Sequence, residues 1–355
     1  MDKKIVINML SSADKVEGQG VGSAYLEQVN LVKEGASDLF TVEINSGKKA
    51  DIIHSHTIDP QNYLKMKNNK NANVCYVHFL PDTLNGSIQL PKALFSVFKK
   101  YVISFYKTAD YLIVVNPIFM EELEKYGIAR EKMIYIPNYV SKEQFYVKPV
   151  EQRNAIREQY GIKADEFVVI GVGQVQTRKG VLDFVDVAKK LPDVRFVWCG
   201  GFSFGKITDG YEELKKVVEN PPANVQFPGI IPRSDMNDIY NMADVMFLPS
   251  YEELFPMTIL ESMNCAVPVL VRNLPIYDPI LFDYALRGDG MDAFVSTLKQ
   301  LREDPDFYQR SAHASFAGHE FYSREHVGQM WKEFYEKTAA EVKHSAPAHW
   351  KGGRV

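Results

Sequence analysis

Two acids, Glu253 and Glu261, bracket seven residues in the stretch LPSYEELFPMTILESMNCAVPV, which runs from Leu248 to Val269. Apolar residues and Pro249 end a strand, a loop with Glu252 and Glu253 follows, and a helix opens near Pro256. One acid therefore sits at the helix mouth and the other two turns inside. A helix N-terminus carries free N–H groups and partial positive charge, so its first turn (Pro256, Met257, Thr258) suits an anion such as a phosphate. Carboxylates beside it can accept hydrogen bonds from sugar hydroxyls, which an apolar wall cannot do. These are the features of a nucleotide-sugar site.

Such a site needs a diphosphate clamp. The segment Gly171-Val-Gly-Gln174-Val-Gln-Thr-Arg178-Lys179-Gly180 reads as strand, loop and helix, with two cations expected beside free N–H groups at the helix start. A solvated basic loop is the plain alternative, and the glycines together with the acids at 253 and 261 favour the clamp. A glycine loop, Gly18-Gln-Gly20-Val-Gly22-Ser23, follows the first strand, where backbone amides can approach a ligand closely or simply make a tight turn. Ser23 stands where a dinucleotide fingerprint needs glycine, which argues against a nicotinamide cofactor. His78 ends the apolar run CYVHF at a strand's carboxyl end, placed either to catalyse or to brace the loop after it. His54 and His56 are assigned structural roles. No metal-binding motif is found in the segments expected to line the cleft.

Strand-like runs alternate with helical patterns along the chain: KKIVINML, ADIIHSH, ANVCYVHF and ADYLIVVN, then EFVVIGVG, VRFVWCGG, VQFPGII, ADVMFLP and VPVLV. That alternation predicts α/β architecture, two doubly wound parallel sheets with ligands at their carboxyl ends. The polar stretch from Lys142 to Glu151 marks the junction, giving domains 1–145 and 146–320. A helix at 321–343 is expected to cross back to the first domain, followed by a flexible tail at 344–355. The length of 355 residues suits two domains, and a formal charge of -4 gives no attraction to nucleic acid. Cys75, Cys199 and Cys265 lie in apolar contexts and read as reduced core residues. No leader is evident, and no apolar run approaches the ~20 residues that span a bilayer.

One helix stands out. LPKALFSVFKKYVISFYK, residues 90–107, has positions 94, 95, 98, 101, 102 and 105 on one face and Lys92, Ser96, Lys99, Lys100 and Lys107 on the other. Packing against the sheet explains this pattern, and so does an interfacial membrane anchor.

Taken together, these stretches resemble the retaining glycosyltransferases of family 4, which have the GT-B fold. The resemblance rests on Glu253-x7-Glu261 followed by Pro268-Val269, QTRKG, YGIAREKMIYIPNYV and FYSREHVGQMWKEFY, and it covers nearly the whole chain. GQGVGSAY, QLPKALFSVFKKYVISFYKTAD and QTRKGVLDFVDVAKKLPDVRFVWCG narrow it to Gram-positive glycolipid synthases that add a second hexose to monoglucosyldiacylglycerol.

The resemblance implies transfer of glucose or galactose from UDP-glucose or UDP-galactose to a diacylglycerol glycolipid, with retention and without a metal. The product would be an α-linked dihexosyldiacylglycerol, a lipoteichoic acid anchor. Lys179, helped by Arg178, would neutralise the diphosphate; Glu253 would bind sugar hydroxyls, Glu261 the ribose, and His78 the donor sugar. Gly20 and Gly22 would approach the phosphates and acceptor. The membrane reading of 90–107 then gains weight, with Lys92, Phe95, Phe98, Lys99, Lys100, Tyr101 and Lys107 at an anionic surface, on the inner face of the cell membrane. The chain departs from the family pattern where an arginine of the clamp falls on Gln174 and where glycines after Glu253 are replaced by Leu254 and Pro256. Two further readings stay open: a soluble or polysaccharide acceptor, and an inactive nucleotide-sugar-binding partner subunit.

Overall fold

 The computed structural model describes residues 4–13, 20–78, 80, 92–203, 205 and 208–345, with backbone alone at 20, 21, 92 and 342–345. The loop at Gly18, most of the 79–91 segment, the Lys92 side chain and the tail from 346 lie outside them.

In the first half the chain runs β1 (Ile5–Leu10), α1 (Gly20–Gly35), β2 (Phe40–Ile44), β3 (Ile52–Ser55), α2 (Pro60–Asn68), β4 (Ala72–Val77), α3 (Lys92–Thr108), β5 (Tyr111–Val114), α4 (Ile118–Glu124) and β6 (Met133–Tyr135). The second half runs α5 (Val150–Gln159), β7 (Val168–Val172), α6 (Val181–Lys190), β8 (Arg195–Cys199), α7 (Tyr211–Glu219), β9 (Val225–Gly229), α8 (Met236–Met242), β10 (Val245–Leu248), α9 (Met257–Asn264) and β11 (Val269–Arg272). It continues with α10 (Asp278–Leu281), β12 (Leu286–Gly288), α11 (Met291–Glu303), α12 (Pro305–Phe321) and α13 (Arg324–Ser345).

Each half builds a parallel sheet, in the order β2-β1-β3-β4-β5-β6 and β12-β11-β10-β7-β8-β9. Strands such as β4 and β10 are buried along their whole length, because helices cover both faces of a parallel sheet. The order in which strands are added switches sides between β1 and β3 in the first sheet and between β7 and β10 in the second. Loops leaving adjacent strands at such a point diverge and open a crevice, where α/β sheets bind ligands.

α13 returns to the first half. Gln28 of α1 donates to the Tyr335 hydroxyl at 2.8 Å, and the Trp331 ring stacks on Tyr76 of β4. The halves are also joined by asparagines. Asn116 donates to the Leu254 carbonyl at 3.2 Å and to the Ile276 carbonyl at 2.8 Å. Asn138 donates to the Phe255 carbonyl at 3.0 Å, and Asn264 to the Val140 carbonyl at 3.2 Å. Cys75, Cys199 and Cys265 are buried free thiols.

Candidate active site

The loops after β7 and β10 leave adjacent strands and meet at Gly180. Its φ of 71° lies in the left-handed region, and a Cβ there would stand 2.3 Å from the Pro249 carbonyl oxygen. Only glycine accepts both conditions. Residues Thr177–Lys179 form a 3-10 turn, and α6 begins after them at Val181, so Arg178 and Lys179 precede the helix rather than opening it. The Tyr251 amide donates to the Arg178 carbonyl at 2.8 Å and locks the two loops in register.

That register brings the expected clamp and acid together. Lys179 Nζ lies 2.5 Å from Glu253 Oε1, with both side chains largely buried. Burial pulls the Lys179 pKa below its usual value, and the charge of Glu253 opposes that fall. Arg178 donates through Nη1 to the Glu252 carbonyl at 3.3 Å, while its buried Nε has no hydrogen-bond partner. Gln174, where the family pattern has arginine, follows Gly173, whose carbonyl accepts from the Trp198 indole at 3.0 Å. Pro256 caps α9, Met257 is buried, and Thr258 follows with its buried hydroxyl unpartnered.

Glu261 is also buried, and both its carboxylate oxygens are occupied. Arg233 donates to Oε1 at 2.7 Å and the Tyr240 hydroxyl to Oε2 at 2.6 Å. A carboxylate has about four lone-pair sites, so each oxygen can still accept from a diol.

His78 belongs to a separate cluster. Its ring stacks on Tyr76 with centroids 4.2 Å apart, and its Nε2 lies 3.3 Å from His56 Nδ1. His54 Nδ1 lies 2.6 Å from the Tyr335 hydroxyl of α13. Burial lowers the pKa of His54 and His78 to about 3 and holds that of His56 well below its usual value, so all three imidazoles are neutral near pH 7. His78 can therefore offer a neutral hydrogen bond but no imidazolium. The Tyr76 hydroxyl donates to Asn138 at 3.1 Å, which links this cluster to the Phe255 carbonyl in the acidic loop.

Two of the expected segments also have packing roles. Gly22 lies in the first turn of α1, where a Cβ would stand 2.8 Å from the Ala13 carbonyl oxygen. Its bareness thus serves the packing of helix on loop, and Gly20 is the first residue of the same helix. In α3 the core claims most of the apolar face: Val102, Phe105 and Tyr106 are fully buried, and Phe98 and Tyr101 pack against the core. Tyr101 donates to the Ile58 carbonyl at 2.5 Å, and Lys99 sits over the Tyr126 ring. The large apolar residues left exposed are Leu94 and Val97, 58% and 67% exposed, with Phe95 half-buried beside them and Lys100 and Lys107 exposed. A helix whose ends meet different surroundings cannot be apportioned by one face assignment along its length. No helix among the described residues is long and apolar enough to cross a membrane.

The residues missed in the sequence are Asn116, Asn138, Tyr240, Arg233 and Glu27. Asn116 ends an apolar strand just as His78 does, a signal that could have been read. Arg233 and Glu27 left none.

The family model described as Glycosyltransferase Family 4 matches residues 39–144, and that described as Glycosyl transferases group 1 matches residues 152–315. The chain is 44% identical over 344 residues to the alpha-galactosylglucosyldiacylglycerol synthase of Streptococcus pneumoniae (strain ATCC BAA-255 / R6), covering 95% of this chain and 91% of the relative. It is 27% identical over 290 residues to the processive diacylglycerol alpha-glucosyltransferase of Acholeplasma laidlawii, covering 80% of this chain and 84% of that one. Among solved structures, Anabaena HepE in complex with UDP and glucose matches with a TM-score of 0.75 at 16% identity, covering 94% of this chain and 99% of that one. Sucrose-phosphate synthase from Thermosynechococcus elongatus matches with a TM-score of 0.77 at 16% identity, covering 95% and 100%. The fold is the GT-B fold that the sequence resemblance implies.

Proposed function

The chain belongs to glycosyltransferase family 4, and from that premise we propose that it transfers a hexose from UDP-glucose or UDP-galactose to a membrane glycolipid. The acceptor is monoglucosyldiacylglycerol and the product an α-linked dihexosyldiacylglycerol, formed with retention at the sugar carbon. The observation that carries this reading is the Lys179–Glu253 pair at 2.5 Å, held where the loops of β7 and β10 diverge. One partner suits a departing diphosphate and the other a sugar hydroxyl.

When the bond between sugar and phosphate breaks, negative charge grows on the leaving diphosphate. Lys179 and Arg178, fixed in the 3-10 turn before α6, stabilise that charge without reorganising. They supply at the leaving group what a divalent cation can supply elsewhere, which is the ground for a metal-independent reaction. Glu253 orients the sugar, Glu261 takes the ribose hydroxyls, and the first turn of α9 (Pro256, Met257, Thr258) and Gln174 line the phosphate side. His78 contributes a neutral contact to the sugar.

Residues 1–145 then form the acceptor-facing domain, 146–320 the donor domain, and 321–343 the crossover. On this reading the protein is peripheral on the inner face of the cell membrane, and the exposure of Leu94 and Val97, with Phe95 half-buried and Lys100 exposed beside them, supports contact between α3 and an anionic leaflet. The identity to a glycolipid synthase over nearly the full chain supports this acceptor.

The test incubates the protein separately with UDP-glucose and UDP-galactose, each with monoglucosyldiacylglycerol, and identifies products by mass spectrometry and NMR. A dihexosyl lipid with an α-linkage is expected from one donor. Neither donor giving UDP release with this acceptor would overturn the reading.

A further inference from the structure

Two buried carboxylates from opposite halves of the chain share one guanidinium. Arg233, in the 3-10 turn after β9, donates through Nη1 to Glu261 of α9 at 2.7 Å and through Nη2 to Glu27 of α1 at 2.6 Å. Glu27 and Glu261 are almost wholly buried, and the other Glu27 oxygen accepts from the Ser141 amide at 3.2 Å, at the junction between the halves. The Arg233 guanidinium also lies over the Phe145 ring, 5.0 Å from its centroid. Burial pushes the Glu27 carboxyl above its usual range against the pull of Arg233, so this acid depends on its cation to stay charged.

We infer that Arg233 and Glu27 are positioning residues for the donor nucleotide. Arg233 and Tyr240 fix the Glu261 carboxylate so that its remaining lone pairs face a diol, and Glu27 ties that orientation to the docking of α1 against the second half. Nucleotide affinity and the closure of the two halves are thereby coupled through a single side chain. The planar fork of arginine can bridge two carboxylates at once, which the point charge of lysine cannot reproduce. This inference rests on the proposed reading of Glu261 as the ribose acid.

Its test uses UDP as the probe. Calorimetric Kd values are measured for the full chain and for Glu27→Gln, Arg233→Lys and their combination, with Glu261→Gln as control. Glu27→Gln should weaken UDP binding about tenfold and raise the donor KM in step while kcat changes by less than about threefold. Arg233→Lys should weaken it more, and the combination should be no worse than Arg233→Lys alone, because each removes the same bridge. In the unmodified protein, UDP should slow amide exchange in α1, a readout independent of whether any variant folds.

A folded Glu27→Gln protein that binds UDP as tightly as the parent would overturn the inference and leave Glu27 as a brace. Unchanged α1 exchange on adding UDP to the parent would overturn it as well. If Glu261→Gln also binds UDP normally, the donor-site reading itself falls. If Glu261→Gln alone weakens binding, only the coupling fails.

Discussion

The loops of β7 and β10 and the imidazole cluster at the ends of β3 and β4 occupy equivalent places, each at the carboxyl ends of parallel strands. They are built by opposite means. In the second half, opposite charges are drawn together: Lys179 and Glu253 neutralise each other in a largely buried setting, and Gly180 lets their loops touch. In the first half, titratable groups are drawn in without counter-charges. His54, His56 and His78 are stacked on Tyr76 and held neutral by burial. The first arrangement keeps paired charges in place, and the second keeps its buried imidazoles uncharged.

The largest test of this contrast removes the charge. Lys179→Ala should lower hexose transfer by about 10² to 10³, the usual cost of losing one preorganised electrostatic partner of a leaving group. It is read as UDP release on vesicles containing monoglucosyldiacylglycerol, with circular dichroism to confirm folding. Transfer within threefold of the parent would show that the pair is a brace.

The apolar end of α3 gives the next effect. Leu94→Glu with Val97→Glu should cut binding to anionic vesicles by at least about tenfold, since burying either side chain is worth ~1.5–3 kcal/mol at most. Lys100→Gln should lose only ~1 kcal/mol of surface attraction. Flotation assays separate the two, and equal flotation of all three proteins would remove α3 from the membrane.

The neutral cluster is probed by acid. An unfolded histidine takes up its proton near pH 6.5, whereas folded His54 does so only near 3. Unfolding therefore gains protons in that window, and stability falls as pH drops through it, by ~1.4 kcal/mol per pH unit for each such histidine. His54→Asn should flatten the slope of stability against pH below 6 by about that amount, measured by urea unfolding. An unchanged slope would mean that His54 already titrates in the folded protein.

The last test concerns the asparagines that hold the acidic loop. Asn138→Ala should cost ~1–3 kcal/mol, because it leaves the buried Phe255 carbonyl without its donor. It should also raise the donor KM, since Glu253 lies two residues from that carbonyl. A loss of stability with unchanged KM would separate the brace from the site.

The alternation of apolar runs with helical patterns determined the two parallel sheets, because side-chain period and strand burial are local properties written residue by residue. Glycines and charges in the QTRKG and acidic segments likewise marked two loops of interest before their contact was known. What only the tertiary structure decided is which of these groups face one another. The pairing of Lys179 with Glu253 spans 74 positions, and that of Arg233 with Glu27 spans 206. No local pattern records such a meeting, since it depends on strand order and on how the halves dock. The same holds for α3, whose apolar stripe looked uniform in sequence. The core buried Val102, Phe105 and Tyr106 in its later turns and left Leu94 of the first turn exposed, a difference along the helix that the sequence pattern does not record.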